Sequence, residues 1–247
     1  MRIRIYFHFP LLLVFLTAGC ISRPTIPIPR LEYSNPHAAQ NKKLFVFLRG
    51  FGGGHKIFEE KGLVQQVLDR ELPFDMVAPA AHFGYYKSES LGERLYEDII
   101  QPARQEGCQE VWLVGTSMGG LGALFYLTEY SSSVDGVILL SPFVGWGGII
   151  REIKKAGGLE YWQPGPRTEK DYQRDIWAWI KRTRNDPIMP PIYLGYGDDD
   201  LFVNAHVLLA RQIREDRVVV INGGHNYRTL RRLWAAFLRK LDGELRE

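Results

Sequence analysis

The stretch from Glu110 to Leu127 does most to limit what this chain can fold into. A short apolar run, Val111-Trp-Leu-Val114, leads directly into Gly115-Thr-Ser-Met-Gly119 and then into an apolar, helix-forming segment. A buried strand, a sharp turn and a helix fit this order. A turn that sharp crowds the residues beside its apex, and glycine on both sides of Ser117 relieves the crowding because it lacks a Cβ. A serine hydroxyl is a weak nucleophile unless it is held clear of the backbone beside a base, and such a turn can hold it so. The helix that follows would aim its free N–H groups and positive end back at the turn, where negative charge would develop on a substrate.

The rest of the chain repeats this alternation. Apolar runs stand at 44–48, 76–78, 111–114, 137–140, 192–194 and 218–221, with helix-like segments at 58–72, 91–105, 121–130, 203–213 and 227–241 between most of them. Strands alternating with helices predict an α/β fold with a mostly parallel sheet of about six or more strands and helices on both faces. No internal repeat or second domain is visible. The interval from about 144 to 190 breaks the rhythm, with Trp146, Tyr161, Trp162, Trp177 and Trp179 among two short helical patterns and Pro164 and Pro166. It reads as a small helical cap whose aromatics meet a substrate, against the plainer reading of extra core over one sheet edge.

The N-terminus is of another kind. A basic start, Met1-Arg-Ile-Arg4, precedes an apolar run that ends in Leu16-Thr-Ala-Gly-Cys20. The run is too short to remain as a bilayer span and reads as a signal peptide over residues 1–19. Small residues ahead of Cys20 resemble a bacterial lipobox, which implies lipidation of Cys20 and a protein of the bacterial cell envelope, anchored on the periplasmic or outer-surface side. Residues 20–42 are proline-rich and read as a tether, leaving 43–247 as the folded domain. Removing Arg2 and Arg4 lowers the formal charge from +3 to +1, and no basic face stands out, so no nucleic-acid partner is expected. With Cys20 lipidated, Cys108 is the other of two cysteines and has no disulfide partner. No cluster has metal-ligand spacing, and neither metal nor organic cofactor is expected.

A nucleophilic serine needs a base and the base an orienting acid. In parallel sheets ligands sit beyond the carboxyl ends of the strands. His8 lies in the leader, His37 in the tether and His206 inside a helical pattern, while His55 and His82 follow the first two strands. His225 alone follows the last strand, in Asn222-Gly-Gly-His-Asn226, and is the candidate base. Asp135 and Asp216 precede strands, and Asp171, Asp175 and Asp186 fall in the cap interval. That leaves Asp198, Asp199 and Asp200, of which Asp200 is preferred, with its neighbours as turn formers. After the first strand, Leu48-Arg-Gly-Phe-Gly-Gly-Gly-His55 offers a flexible backbone beside the nucleophile, so the amides of Phe51 and Met118 are the expected oxyanion donors. No Lys-Ser/Thr follows these glycines, which argues against a phosphate loop.

Together, Gly115-x-Ser-x-Gly119 between strand and helix and the order Ser117, Asp200, His225 resemble the α/β-hydrolase superfamily over 44–241. Gly197-Asp-Asp-Asp200-Leu-Phe-Val203 is similar to its acid loop and Gly223-Gly-His225 to its histidine loop. The resemblance implies Ser117 as nucleophile, His225 as base, Asp200 as orienter, and hydrolysis of an ester-like bond in a small-molecule acyl substrate. Arg49 stands where the superfamily commonly has histidine before Gly50. An amide, a thioester or acyl transfer could use the same site, and a non-catalytic envelope binding protein is the rival from another class. Tyr85 and Trp146 are candidate substrate contacts, and a compact aromatic cap favours a small or flat acyl or alkoxy group over a long lipid chain.

Overall fold

In the computed structural model, residues 23–38, 42–166 and 171–246 are described, and Cys20 lies outside them. The elements, in chain order, begin with β1 (Arg30–Tyr33), β2 (Lys43–Leu48), α1 (Ile57–Glu60), α2 (Leu63–Leu68) and β3 (Phe74–Pro79). There follow α3 (Phe83–Lys87), α4 (Leu91–Leu95), a π-helical turn (Tyr96–Ile100) and α5 (Gln101–Gln105). Then come β4 (Glu110–Thr116), α6 (Met118–Tyr130), β5 (Gly136–Leu140), α7 (Gly147–Lys155) and α8 (Tyr172–Thr183). The chain closes with β6 (Ile192–Gly197), α9 (Val203–Ala210), β7 (Val218–Ile221) and α10 (Tyr227–Arg246).

Seven strands form one sheet in the order β1-β3-β2-β4-β5-β6-β7, and only β1 runs antiparallel to its neighbour. The central strands are buried on both faces, as crossover helices require of a parallel sheet, so they read as unbroken apolar runs. One face packs Val46, Leu48, Leu113 and Leu139 against α4, α6, α8 and α9. The other packs Phe45, Phe47, Val114 and Ile138 under α1, α2 and α10, with Trp234 set edge-on to Phe45 and Phe47. The register aligns Leu48 with Gly115 and Thr116 with Leu140, so the carboxyl ends of β2, β4 and β5 share one edge.

The N-terminal boundary differs from the sequence reading. Residues 28–38 pack on the domain instead of standing off as a tether. Arg30–Tyr33 pairs with Pro79–Met76 as the antiparallel edge strand, and Ile28, Asn35 and Ala38 are buried. The Ile28 N–H donates to Asp98 Oδ2 at 2.7 Å, and Asn35 Nδ2 donates to Leu72 O and Phe74 O at 2.7 and 3.1 Å. Prolines on either side are compatible with an edge strand, whose outer N–H groups need no ladder partner. A four-residue strand in a proline-rich stretch gives too short an alternation to be seen as one.

The cap interval also divides differently. α7 and α8 bury apolar stripes, Ile149, Ile150 and Ile153 on one and Ile176, Trp177 and Ile180 on the other. Trp162, Trp177 and Trp179 are core residues, and the Trp177 indole N–H donates to Val144 O at 2.8 Å. For these three the plain packing reading holds. Tyr161 and Trp146 remain exposed. Among the described residues no helix is long and apolar enough to cross a membrane.

Candidate active site

Ser117 occupies the turn between β4 and α6 with φ 51° and ψ −118°, a conformation rarely adopted by a residue with a Cβ. Such strain persists only where the surroundings hold it, at about 1–3 kcal/mol per residue. The flanking glycines are required by close backbone contact. A Cβ on Gly119 would lie 1.9 Å from Leu48 O, and one on Gly115 would lie 2.5 Å from Gly119 O. The turn is further pinned by Ser117 N–H donating to Leu140 O (3.2 Å) and Phe143 N–H donating to Ser117 O (2.8 Å).

The other two candidates arrive from neighbouring strand ends. Asp200 lies three residues beyond β6, and His225 four beyond β7. Their loops are laced together, Asp199 N–H to Gly223 O at 3.0 Å and Gly223 N–H to Asp198 Oδ1 at 3.1 Å. Asp198 thus ties the turn, Asp199 faces solvent, and Asp200 alone is buried, at 3% exposure. His225 Nδ1 lies 2.9 and 3.1 Å from the two Asp200 oxygens, and its Nε2 lies 3.0 Å from Ser117 Oγ. Burial pushes the Asp200 carboxyl up, but hydrogen bonds from His225 and the Phe202 N–H, with both nearby imidazoles, hold it below the usual carboxylate range. An ionised carboxylate only accepts, so Nδ1 carries a proton and Nε2 is free to accept one from Ser117.

The expected oxyanion donors, Phe51 and Met118, are the chain neighbours of Gly50 and of Ser117. Gly50 abuts the nucleophile, a Cβ there reaching within 3.2 Å of Ser117 Cβ and 3.8 Å of Ser117 Oγ. Met118 is the first residue of α6, so its N–H has no partner within the helix. The Phe51 N–H makes no hydrogen bond among the described residues. Tyr86 braces this corner by donating its hydroxyl to Met118 O at 3.0 Å, its phenol kept protonated by burial.

The two expected substrate contacts part ways. Tyr85 is fully buried, with its hydroxyl engaged by the Thr25 N–H at 3.0 Å and donating to Thr25 O at 2.9 Å. It is a packing residue and lines no cleft. Trp146 is 61% exposed and stands edge-on to Phe143 (4.8 Å between centroids) and Phe202 (6.2 Å). Phe202 in turn meets the His225 ring edge-on at 5.2 Å, so these three aromatics form a wall beside the imidazole. The sequence reading passes over Phe143 and Phe202, whose only signal is their place just after β5 and just after Asp200. His206, set aside in the sequence as lying inside a helical pattern, is a fully buried ring on α9 whose Nε2 donates to Pro142 O at 2.8 Å and whose Nδ1 lies 4.0 Å from Asp200 Oδ1. Cys108 is half-buried, its thiol pushed up by burial and donating to Glu110 O. Among the described residues no group of three or more His, Cys, Asp or Glu side chains could hold a metal ion.

A family profile described as serine aminopeptidase, S33, matches residues 93–191, a stretch that includes Ser117 but neither Asp200 nor His225. No curated protein sequence matches the chain significantly. Solved structures match over most of it. S-formylglutathione hydrolase FrmB from Staphylococcus aureus is 14% identical with a TM-score of 0.55, over 90% of this chain and 98% of that one. FphF, a fluorophosphonate-binding serine hydrolase of the same organism, is 12% identical with a TM-score of 0.56, over 86% and 96%. A monoacylglycerol lipase from Paleococcus ferrophilus is 14% identical with a TM-score of 0.51, over 85% and 98%. At these identities the likeness is one of architecture, and with the seven-stranded sheet and its edge of loops it establishes that the chain has the α/β-hydrolase fold.

Proposed function

We propose that the protein is a serine hydrolase that cleaves a carboxylic ester of a small or flat acyl group through an acyl-enzyme. The observation that carries this reading is the unbroken line Ser117 Oγ, His225 Nε2, His225 Nδ1, Asp200, with contacts of 3.0 and 2.9 Å. In the forward step Ser117 Oγ attacks the ester carbonyl while His225 Nε2 takes its proton, and Asp200 stabilises the imidazolium. The tetrahedral oxyanion lies between the Phe51 and Met118 amides. The imidazolium then protonates the departing alkoxide, leaving Ser117 acylated. A water that gives its proton to His225 attacks the acyl carbon, and collapse of the second intermediate returns the proton to Ser117 Oγ and frees the carboxylic acid. The wall of Phe143, Trp146 and Phe202 beside His225 supports a flat or compact group in the cleft.

The test is a series of p-nitrophenyl esters from acetate to palmitate, with an aminoacyl p-nitroanilide alongside because the matching profile is that of an aminopeptidase family. The reading predicts the highest kcat/KM at short or aromatic acyl groups. A preference for palmitate, or turnover of the anilide alone, would contradict it. We further propose that Cys20 is lipidated and anchors the protein at the cell envelope, supported by the basic, apolar and small-residue order of residues 1–20. Cys20→Ser should leave an unprocessed or soluble form, and a wild-type protein with residue 20 unmodified would refute the anchor.

A further inference from the structure

Arg49 follows β2 directly and is 7% exposed, yet no carboxylate pairs with it among the described residues. A buried cation without a counter-ion is unusual, since desolvation opposes the charge and no opposite charge offsets it. Its Nη1 donates to two successive carbonyls of the glycine loop, Gly50 O at 3.1 Å and Phe51 O at 3.2 Å. The charge is felt around the site. Burial and then Arg49 lower the pKa of both His55 and His82, and Arg49 opposes the upward push of burial on Tyr86 and Tyr227.

The peptide between Gly50 and Phe51 is trans, so its C=O and N–H point in opposite directions. A guanidinium that grips Gly50 O on one side therefore turns the Phe51 N–H toward the other. Gly50 itself abuts Ser117, and the Phe51 N–H is committed to no protein acceptor among the described residues. We infer that Arg49 is the positioning residue of the oxyanion cradle: its Nη1, held by both carbonyls, fixes the glycine-loop peptides so that the Phe51 amide faces the reacting carbonyl, and its unpaired charge adds a field that favours the oxyanion. The inference rests on the hydrolase reading above. It also explains why arginine serves here. Lysine would keep the charge but as a compact, strongly hydrated ammonium in place of the weakly hydrated planar guanidinium, and glutamine would keep a donor but lose the charge. Arg49 does not touch substrate and takes no proton.

The test uses the mature protein with Arg49→Lys, Arg49→Gln and Arg49→Met, each checked by thermal melting. Turnover of p-nitrophenyl butyrate and inhibition by an alkyl trifluoromethyl ketone, whose Ser117 adduct places an oxyanion in the cradle, are measured together. Loss of one whole cradle donor costs about 10²–10³ in kcat. Gln and Met should lose roughly 10–100-fold in kcat with KM within about threefold, Lys should lose less, and the ketone Ki should rise in proportion to the loss in kcat/KM. Folded variants that keep kcat within about threefold, or that lose kcat while the ketone Ki stays unchanged, would overturn the inference. If Gln and Met fail to fold, Lys carries the same comparison, and proportional loss or its absence decides. A wild-type protein inert to both ester and ketone would instead remove the hydrolase reading, an outcome distinct from active wild type with unaffected variants.

Discussion

Asp200→Asn keeps the shape of the acid and changes its hydrogen-bonding sense, which makes it the sharpest probe of the site. In the native arrangement the carboxylate accepts on both sides. Oδ1 takes the Phe202 N–H at 2.9 Å, and Oδ2 lies 2.9 Å from His225 Nδ1. Asparagine has one acceptor oxygen. If that oxygen stays with Phe202, the NH₂ group faces Nδ1, which must then accept. The imidazole proton moves to Nε2, aimed at Ser117 Oγ, and His225 can no longer take the serine proton. If the amide flips, two donors meet at Phe202 in a site only 3% exposed, which costs about 1–3 kcal/mol. The charge that stabilises the imidazolium is lost either way. The same change in a serine protease triad costs ~10⁴ in kcat, roughly 5 kcal/mol of transition-state stabilisation. We expect at least a ~100-fold loss in kcat on an activated ester. Asp198→Asn retains an acceptor for Gly223 N–H, and solvent-facing Asp199→Asn alters only a surface charge, so both should stay within about tenfold. A folded Asp198→Asn or Asp199→Asn as crippled as Asp200→Asn is expected to be, or an Asp200→Asn within tenfold of wild type, would refute the reasoning.

Gly119→Ala would drive a Cβ to within 1.9 Å of Leu48 O; it should destabilise the fold by at least about 3 kcal/mol, a fall of roughly 6–12 °C in Tm by calorimetry. His206 is buried and its pKa is lowered first by that burial, so below pH about 6.5 the unfolded chain takes up a proton that the folded one refuses. Its contribution makes wild-type stability fall as pH falls below that value, and His206→Asn should show a shallower decline in urea titrations from pH 6.5 to 5. Equal slopes would show that His206 does not titrate as argued. Trp146→Ala, at a side chain 61% exposed, should raise KM for aromatic esters about 3–10-fold and leave Tm within a few degrees. An unchanged KM would remove the aromatic wall from the account of specificity.

What could be read from the sequence follows the physics of each part. The inner parallel strands were legible because burial on both faces leaves unbroken apolar runs, and all six runs are strands in the structure, the half-exposed edge strand β7 included. Ser117, Asp200 and His225 were legible because they follow strand ends, where a parallel sheet exposes its loops. β1 was not, since an edge strand of four residues flanked by prolines carries little pattern. Tyr85 and Trp146 looked equivalent as aromatics in loops. Only the packing separates them, by giving the Tyr85 hydroxyl to Thr25 and leaving Trp146 in the open. The grip of Arg49 on Gly50 O and Phe51 O left no trace beyond an unexpected residue type at one position.

The central claim is that Ser117 is a nucleophile activated by His225. Covalent labelling with a fluorophosphonate, read by intact mass and peptide mapping, tests it most directly. The account predicts one adduct per chain, located on Ser117, absent in Ser117→Ala and slowed at least about 100-fold in His225→Ala. Labelling of Ser117→Ala at the wild-type rate, or an adduct mapped to another residue, would contradict it.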